Sequence, residues 1–212
     1  MKIKSFTFNP FQENTYIIYD KTKECLIVDP GCYTEEEKNI LKEFITKQKL
    51  TPTKLINTHC HIDHILGNKF VHQQWGVPLY IHKADLPLLE NAKKISEMYG
   101  FENYEDSPLP QHYLEEQNII TCGKSSFNIL FTPGHAPGHI CLLNKKNNII
   151  ISGDVIFKNS IGRTDLPGGD HNTLMNSIMK KIFPLPHETQ IFCGHGPITS
   201  LGSEKKYNPF LQ

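Results

Sequence analysis

A chain of 212 residues is long enough for one large domain with a full core and short for two independent ones, so a single domain over 1–212 is expected. Its 22 basic and 22 acidic residues leave no net charge, which removes the usual electrostatic case for a nucleic-acid or membrane-surface partner and makes a small soluble substrate the default. No stretch approaches the roughly 20 apolar residues of a membrane span.

The start, Met1-Lys2-Ile3-Lys4-Ser5-Phe6, alternates polar and apolar residues and reads as a strand, not as a signal peptide. Six cysteines without any Cys-x-x-Cys spacing suit reduced thiols in a cytoplasmic protein better than a zinc ribbon or a disulfide framework. Strands are expected at 2–8, 14–19 and 25–28, the last ended by Asp29-Pro30-Gly31. Thr34 with Glu37 forms a capping box for an amphipathic helix to about Lys49. A strand at 53–57 leads into Thr58-His59-Cys60-His61-Ile62-Asp63-His64, with Asp63 as a candidate N-cap for one helix running through Trp75. A short strand at 78–81 and a helix from Asp85 to Met98 follow, then a polar, proline-rich stretch at 100–117 that reads as a lid. Strands return at 118–121, 126–132, 140–143 and 148–152. Asp170 caps a helix at about 172–182, prolines 184 and 186 stop it, and 189–193 is a final strand. Strands then helices, twice over, argue for two sheets faced by helices and against a simple parallel doubly wound sheet.

The chemistry concentrates at 59–64. If the chain is extended there, alternate side chains share a face, so His59, His61 and Asp63 converge while Cys60 and Ile62 point inward. Imidazole nitrogens and carboxylate oxygens are what a borderline divalent metal takes as ligands. Three later strands each end in a candidate ligand that follows glycine: Gly134-His135, Gly153-Asp154 and Gly194-His195. Together these are five histidines and two aspartates, enough for two metal ions sharing a carboxylate.

With His59-x-His61-x-Asp63-His64, then His135, Asp154 and His195, and with Asp29 after an early strand, the sequence resembles the metallo-β-lactamase superfamily over essentially its whole length. Thr132 to His139, Ser152 to Phe157, Ile161 to Asp165 and Gly194 to Thr199 are similar to its glyoxalase II-like branch, and the ending Leu201 to Phe210 to that branch's short bacterial members. The resemblance implies an α/β fold, a four-layer αββα sandwich of two mixed sheets flanked by helices. It implies that His59, His61 and His135 hold one metal, that Asp63, His64 and His195 hold a second, and that Asp154 bridges them. The cofactors it implies are two divalent ions, zinc first, with iron and manganese also accepted in this branch. Full-length glyoxalase II adds a C-terminal helical domain that contacts glutathione, and no such domain is expected after His195. Asp154 also sets the chain apart from the many true β-lactamases that place cysteine there.

The activity expected from that resemblance is hydrolysis of a thioester of the hydroxyacylglutathione (S-lactoylglutathione) type by a metal-bound hydroxide, with Asp63 positioning the nucleophile as well as binding metal. Thioesters suit a site without an evident general acid, because a thiolate leaves with little help from a proton donor. Arg163 is the only arginine, and its planar fork is expected to organise the 157–170 loop with Asp165. His139, which follows the His135 loop, is open between donating to a carbonyl beside the ligands and simple packing. Lys205, Lys206 and Tyr207 are the candidates for substrate contact, against a solvated tail. His72, His82, His112 and His187 are expected in surface or packing roles and His171 at a helix start, while Cys60 and Cys193 should face the core. Two rivals stand beside the thioesterase: a mononuclear iron persulfide dioxygenase, which resembles this branch through the Gly162 to Asp165 run, and a non-catalytic metal-binding protein. Oligomeric state is not readable from the sequence.

Overall fold

The computed structural model describes residues 1–212, which divide into two compact units, residues 1–113 with 121–125, and residues 114–120 with 126–212.

In the first unit, β1 (Lys2–Phe8) and β2 (Glu13–Tyr19) form an antiparallel hairpin in register from Lys2↔Tyr19 to Phe8↔Glu13. Asn9 and Gln12 turn the chain with φ of 52° and 57°, the left-handed region that asparagine tolerates better than most residues. β3 (Glu24–Val28) pairs antiparallel with β2. Helix α1 (Glu35–Gln48) starts on the expected capping box, Thr34 accepting from the Glu37 N–H. It carries three acidic residues in its first turn, where the helix dipole favours them. β4 (Thr51–Ile56) returns parallel to β3. After β4 come α2 (Ile62–Ile65), α3 (Asn68–Trp75), β5 (Leu79–Ile81), a 3-10 turn at Lys83–Asp85, α4 (Leu86–Glu90), α5 (Ala92–Met98) and β6 (His112–Tyr113). The sheet runs β1-β2-β3-β4-β5-β6 and is mixed. Ile17, Ile27, Leu41, Ile45, Leu55, Ile65, Val71 and Leu79 are buried in its core.

Three expectations are corrected here. The ligand stretch is not extended: β4 stops at Ile56, residues 57–61 are irregular, and Asp63 and His64 lie on α2. The strand ends because the next amide in reach, that of Thr58, is taken by the Asp29 carboxylate at 2.7 Å instead of by a neighbouring strand. The single helix to Trp75 is two helices, and the residue capping the first is His61, not Asp63. The Gly67 N–H, which would continue α2 by bonding to Asp63 O, donates to Pro30 O at 2.7 Å. The helix from Asp85 to Met98 is likewise broken into α4 and α5 at Asn91. Residues 100–117 are largely irregular, as expected, and their first part is tied down: Phe101 is buried, Asn103 N donates to the Tyr33 hydroxyl, and Asn68 Nδ2 donates to Ser107 Oγ.

The second sheet comprises β7 (Ile119–Cys122), β8 (Ser125–Phe131), β9 (Ile140–Asn144), β10 (Ile149–Gly153), β13 (Gln190–Cys193) and β14 (Thr199–Ser200), in the order β14-β13-β10-β9-β8-β7. Its β10 and β13 are parallel and its other described pairings antiparallel, so it too is mixed. A small hairpin, β11 (Ile156–Phe157) with β12 (Ser160–Ile161), follows β10. Helix α6 (His171–Ser177) is capped as expected by Asp170, which accepts from Thr173 N at 2.7 Å. Lys205, Lys206 and Tyr207, weighed between substrate contact and a solvated tail, lie on α7 (Leu201–Tyr207), capped by Ser200 and held through the buried Glu204, which accepts from Asn159 N and Asn208 Nδ2.

Candidate metal centre

In the first unit the ligand stretch is wound around Asp29. This buried carboxylate accepts from Thr58 N at 2.7 Å and from Thr58 Oγ1 at 2.6 Å, and its Oδ2 stands 3.2 Å from His64 Nδ1. Ligand-capable atoms of Asp29, His59 and His64 lie within 4.8 Å of one another. Both Asp29 oxygens are already engaged, however, which makes it the group that orients His64 and not a ligand itself. Thr58 Oγ1 passes the order on to His59 Nδ1, 3.1 Å away. The His59 ring lies 4.7 Å from that of His61 and 4.1 Å from that of His64, and His64 Nε2 is 3.5 Å from Asp63 Oδ2. The four residues of the sequence motif are thus grouped, by a loop and a helical turn. Burial pushes the Glu13 carboxyl well above the usual carboxylate range, with the His64 ring opposing and the Asp29 charge adding to the shift. Behind the loop, the buried Asp85 accepts from Cys60 N at 2.8 Å.

In the second unit Asp154 follows β10, and His135 and His195 close on it from two other loops. His135 Nε2 and His195 Nε2 each stand 3.5 Å from Asp154 Oδ2. Those distances exceed an N–H···O hydrogen bond, but two donors bound at 2.0–2.2 Å to one tetrahedral ion stand about 3.4 Å apart. The donor set therefore fits a divalent metal. The tautomer agrees: His135 Nδ1 lies 2.7 Å from the Arg163 carbonyl oxygen, which can only accept, so Nδ1 carries the proton and the Nε2 lone pair faces Asp154. Fully buried His139 accepts the Asp154 N–H at Nε2, 3.0 Å. Its contact is thus to the backbone of residue 154, as an acceptor, and not the donation to a carbonyl that was one of its two expected roles.

Close backbone approach fixes this loop. A Cβ at Gly162 would lie 1.9 Å from Asp154 O and 3.1 Å from His135 Nδ1. Gly162→Ala is expected to cost about 1–3 kcal/mol in a melting experiment by overpacking, and to weaken metal binding about ten-fold or more in a chelator competition. Arg163 and Asp165 form the expected fork, Nε to Oδ1 and Nη2 to Oδ2 both at 2.7 Å, on side chains 60% and 68% exposed. Those bonds hold the Asp165 carboxyl down at about 2. The pairing is present above the ordinary carboxylate value and lost as pH falls through about 2. Arg163→Ala should return Asp165 toward about 3.9 in a carboxyl NMR titration, with little change in melting temperature.

The remaining cysteines and histidines named from the sequence make contacts of their own. Cys60 and Cys193 are buried; burial pushes the Cys60 thiol well above its usual range and Cys193 up to about 12. His72 bonds to Val77 O, His82 accepts from Ala84 N, His112 stacks on Tyr80, and His171 opens α6. Lys205, Lys206 and Tyr207 lie on α7, with Lys205 Nζ over the Phe183 ring and Lys206 Nζ over Tyr207. Glu13 and Asp85 were not legible as residues buried against the ligand stretch. The signal available was a charged residue at the head of an otherwise uncharged strand, Glu13 in β2, which the structure buries completely.

The chain belongs to the metallo-β-lactamase superfamily, whose family description matches residues 8–195. It has that family's fold of two mixed sheets with flanking helices, and it is a metallo-hydrolase of that superfamily. Hydroxyacylglutathione hydrolase GloC of Haemophilus influenzae is 35% identical to it over 213 residues, covering 100% of this chain and 98% of GloC. The crystal structure of BLEG-1, a B3 metallo-β-lactamase, superposes with a TM-score of 0.90 at 37% identity and covers 100% of both chains. That of TTHA1623 in a di-iron-bound form gives a TM-score of 0.86 at 36% identity, covering 98% of this chain and 100% of the other. Family and donor set together indicate a dinuclear metal centre.

Proposed function

We propose that the protein hydrolyses small thioesters of the hydroxyacylglutathione type. The observation that carries the hydrolytic reading is Asp154, one carboxylate oxygen equidistant from two imidazole nitrogens. The thioester class is supported by the full-length likeness to GloC. In this reading His59, His61 and His135 would hold one ion, Asp63, His64 and His195 would hold the other, and Asp154 would serve both. When bound, such ions bring the pKa of water toward 7 and polarise a carbonyl oxygen. The chain's own contributions are orientation and polarity. Asp29 fixes His64 through its Nδ1, the Arg163 carbonyl fixes the His135 tautomer, and Asp63 orients the attacking water as a hydrogen-bond acceptor. Zinc is the first choice of metal, with manganese, or iron as in the TTHA1623 structure, as the alternatives. No helix is long and apolar enough to cross a membrane, and the reading takes a cytoplasmic small molecule as partner, with neither nucleic acid nor membrane.

The experiment is metal analysis of protein purified without added metal, followed by assays on S-lactoylglutathione, glutathione persulfide and a chromogenic β-lactam. Two equivalents of metal with release of free thiol from S-lactoylglutathione are expected. One iron with oxygen consumption on the persulfide would replace the thioesterase by the dioxygenase. Turnover of the β-lactam alone would move the protein to the activity named for BLEG-1. Metal without turnover on any of them would leave a binding protein.

A further inference from the structure

The turn between β1 and β2 carries a side chain that the proposed reaction does not use. Asn9 is buried, and its amide is fully engaged. Nδ2 donates to Gly31 O and to Asp63 O, both at 3.0 Å, while Oδ1 accepts from Phe11 N at 2.9 Å. Both partners of the nitrogen can only accept and the partner of the oxygen can only donate, so the amide has one possible orientation. The backbone N–H of Asn9 donates to Glu37 Oε1 at 2.6 Å, and Glu37 Oε2 accepts from Tyr33 N and Thr34 N. One carboxylate thus caps α1 and anchors the turn.

The Asp63 carbonyl is open to this contact because α2 ends early. In a continued helix it would accept from Gly67 N, but that N–H goes to Pro30 O. Asn9 takes the vacated role. The junction has no slack: a Cβ on Gly31 would meet Glu13 Oε2 at 2.1 Å and Asn9 Nδ2 and Asp63 O at 2.7 Å each. Gly31 N is itself held by Thr15 Oγ1 at 2.9 Å, and that hydroxyl donates to Glu13 Oε2 at 2.9 Å.

We infer that Asn9 is a positioning residue: from a turn 54 residues upstream it fixes the backbone of Asp63, and so the direction in which the Asp63 carboxylate is offered to a metal. The inference rests on the reading of Asp63 as a ligand. It is tested by titrating the metal-free protein with cobalt(II), whose visible absorption reports ligand geometry. Asn9→Gly keeps the left-handed backbone and removes the amide, whereas Asn9→Asp sets a carboxylate oxygen against two carbonyl oxygens. In both variants one of two cobalt equivalents is expected to bind about ten-fold more weakly or worse, with an altered band, and Asn9→Asp the more affected. A variant that melts earlier yet takes both equivalents with wild-type affinity and spectrum would overturn the inference, reducing Asn9 to a stabilising turn residue. If Asn9→Asp fails to fold, Asn9→Gly alone decides. Asp63→Asn separates the two claims: an unchanged cobalt spectrum there overturns both the ligand reading and this inference, whereas wild-type protein that loads cobalt normally but releases no thiol overturns the proposed function alone.

Discussion

Replacing Asp154 with alanine is expected to remove at least one of the two metal equivalents and to lower kcat/KM on the thioester by about 10³-fold or more. Ligated metals supply several kcal/mol of transition-state stabilisation, and each decade of rate corresponds to about 1.4 kcal/mol. The residue is the common neighbour of His135 and His195, so its loss removes the one group that both imidazoles face. The backbone should stay in place, because what His139 accepts is the main-chain N–H of residue 154, which alanine retains. Circular dichroism should therefore match the wild type while metal analysis and turnover collapse. Asp154→Asn, which keeps the shape and loses the charge, is expected to fall between the two. Wild-type metal content in the alanine variant would remove Asp154 from the centre.

The second large effect belongs to a residue that binds no metal in this reading. Asp29→Ala strands the Thr58 N–H and hydroxyl and releases His64 Nδ1, all in buried surroundings. A buried donor left unsatisfied costs about 1–3 kcal/mol. Alanine must also take over the left-handed φ of 49°, which adds about 1–2 kcal/mol. With two donors stranded, a stability loss of about 3–8 kcal/mol should appear in urea denaturation of the metal-free protein. A 10- to 100-fold loss of metal affinity should appear on reloading. Asp29→Asn tolerates the backbone but aims an amide N–H at a donor, so it should recover part of the stability and little of the affinity. Full recovery in Asp29→Asn would mean that the backbone conformation, not the carboxylate, is what matters.

What could be read ahead of the structure was whatever its neighbours in sequence determine. The Thr34–Glu37 box and the Asp170 cap are local hydrogen bonds between residues three apart, and the strands of the second sheet are apolar runs bounded by turn residues. The reading failed where a distant group intervenes. Pro30 O ends α2 by taking the Gly67 N–H, and Asp29 ends β4 by taking Thr58 N; neither is visible in a window around residue 60. The proposed ligand residues were legible as candidates because metal chemistry restricts ligands to a few side-chain types. Their supports, Asn9, Glu13 and Asp85, were not, because any polar residue could occupy those positions until burial singles them out. The convergence expected of His59, His61 and Asp63 rested on an extended backbone that is not there.

Asp154 and His195 leave the carboxyl ends of β10 and β13, two parallel neighbours whose ladder is prolonged by Gly194 N to Gly153 O at 2.7 Å, one residue before each side chain. Their attachment points are consequently placed by the main-chain pairing of strands about 4.8 Å apart, not by the loops that follow. Segments beyond each strand can lengthen, shorten or change composition while the two donors keep their station.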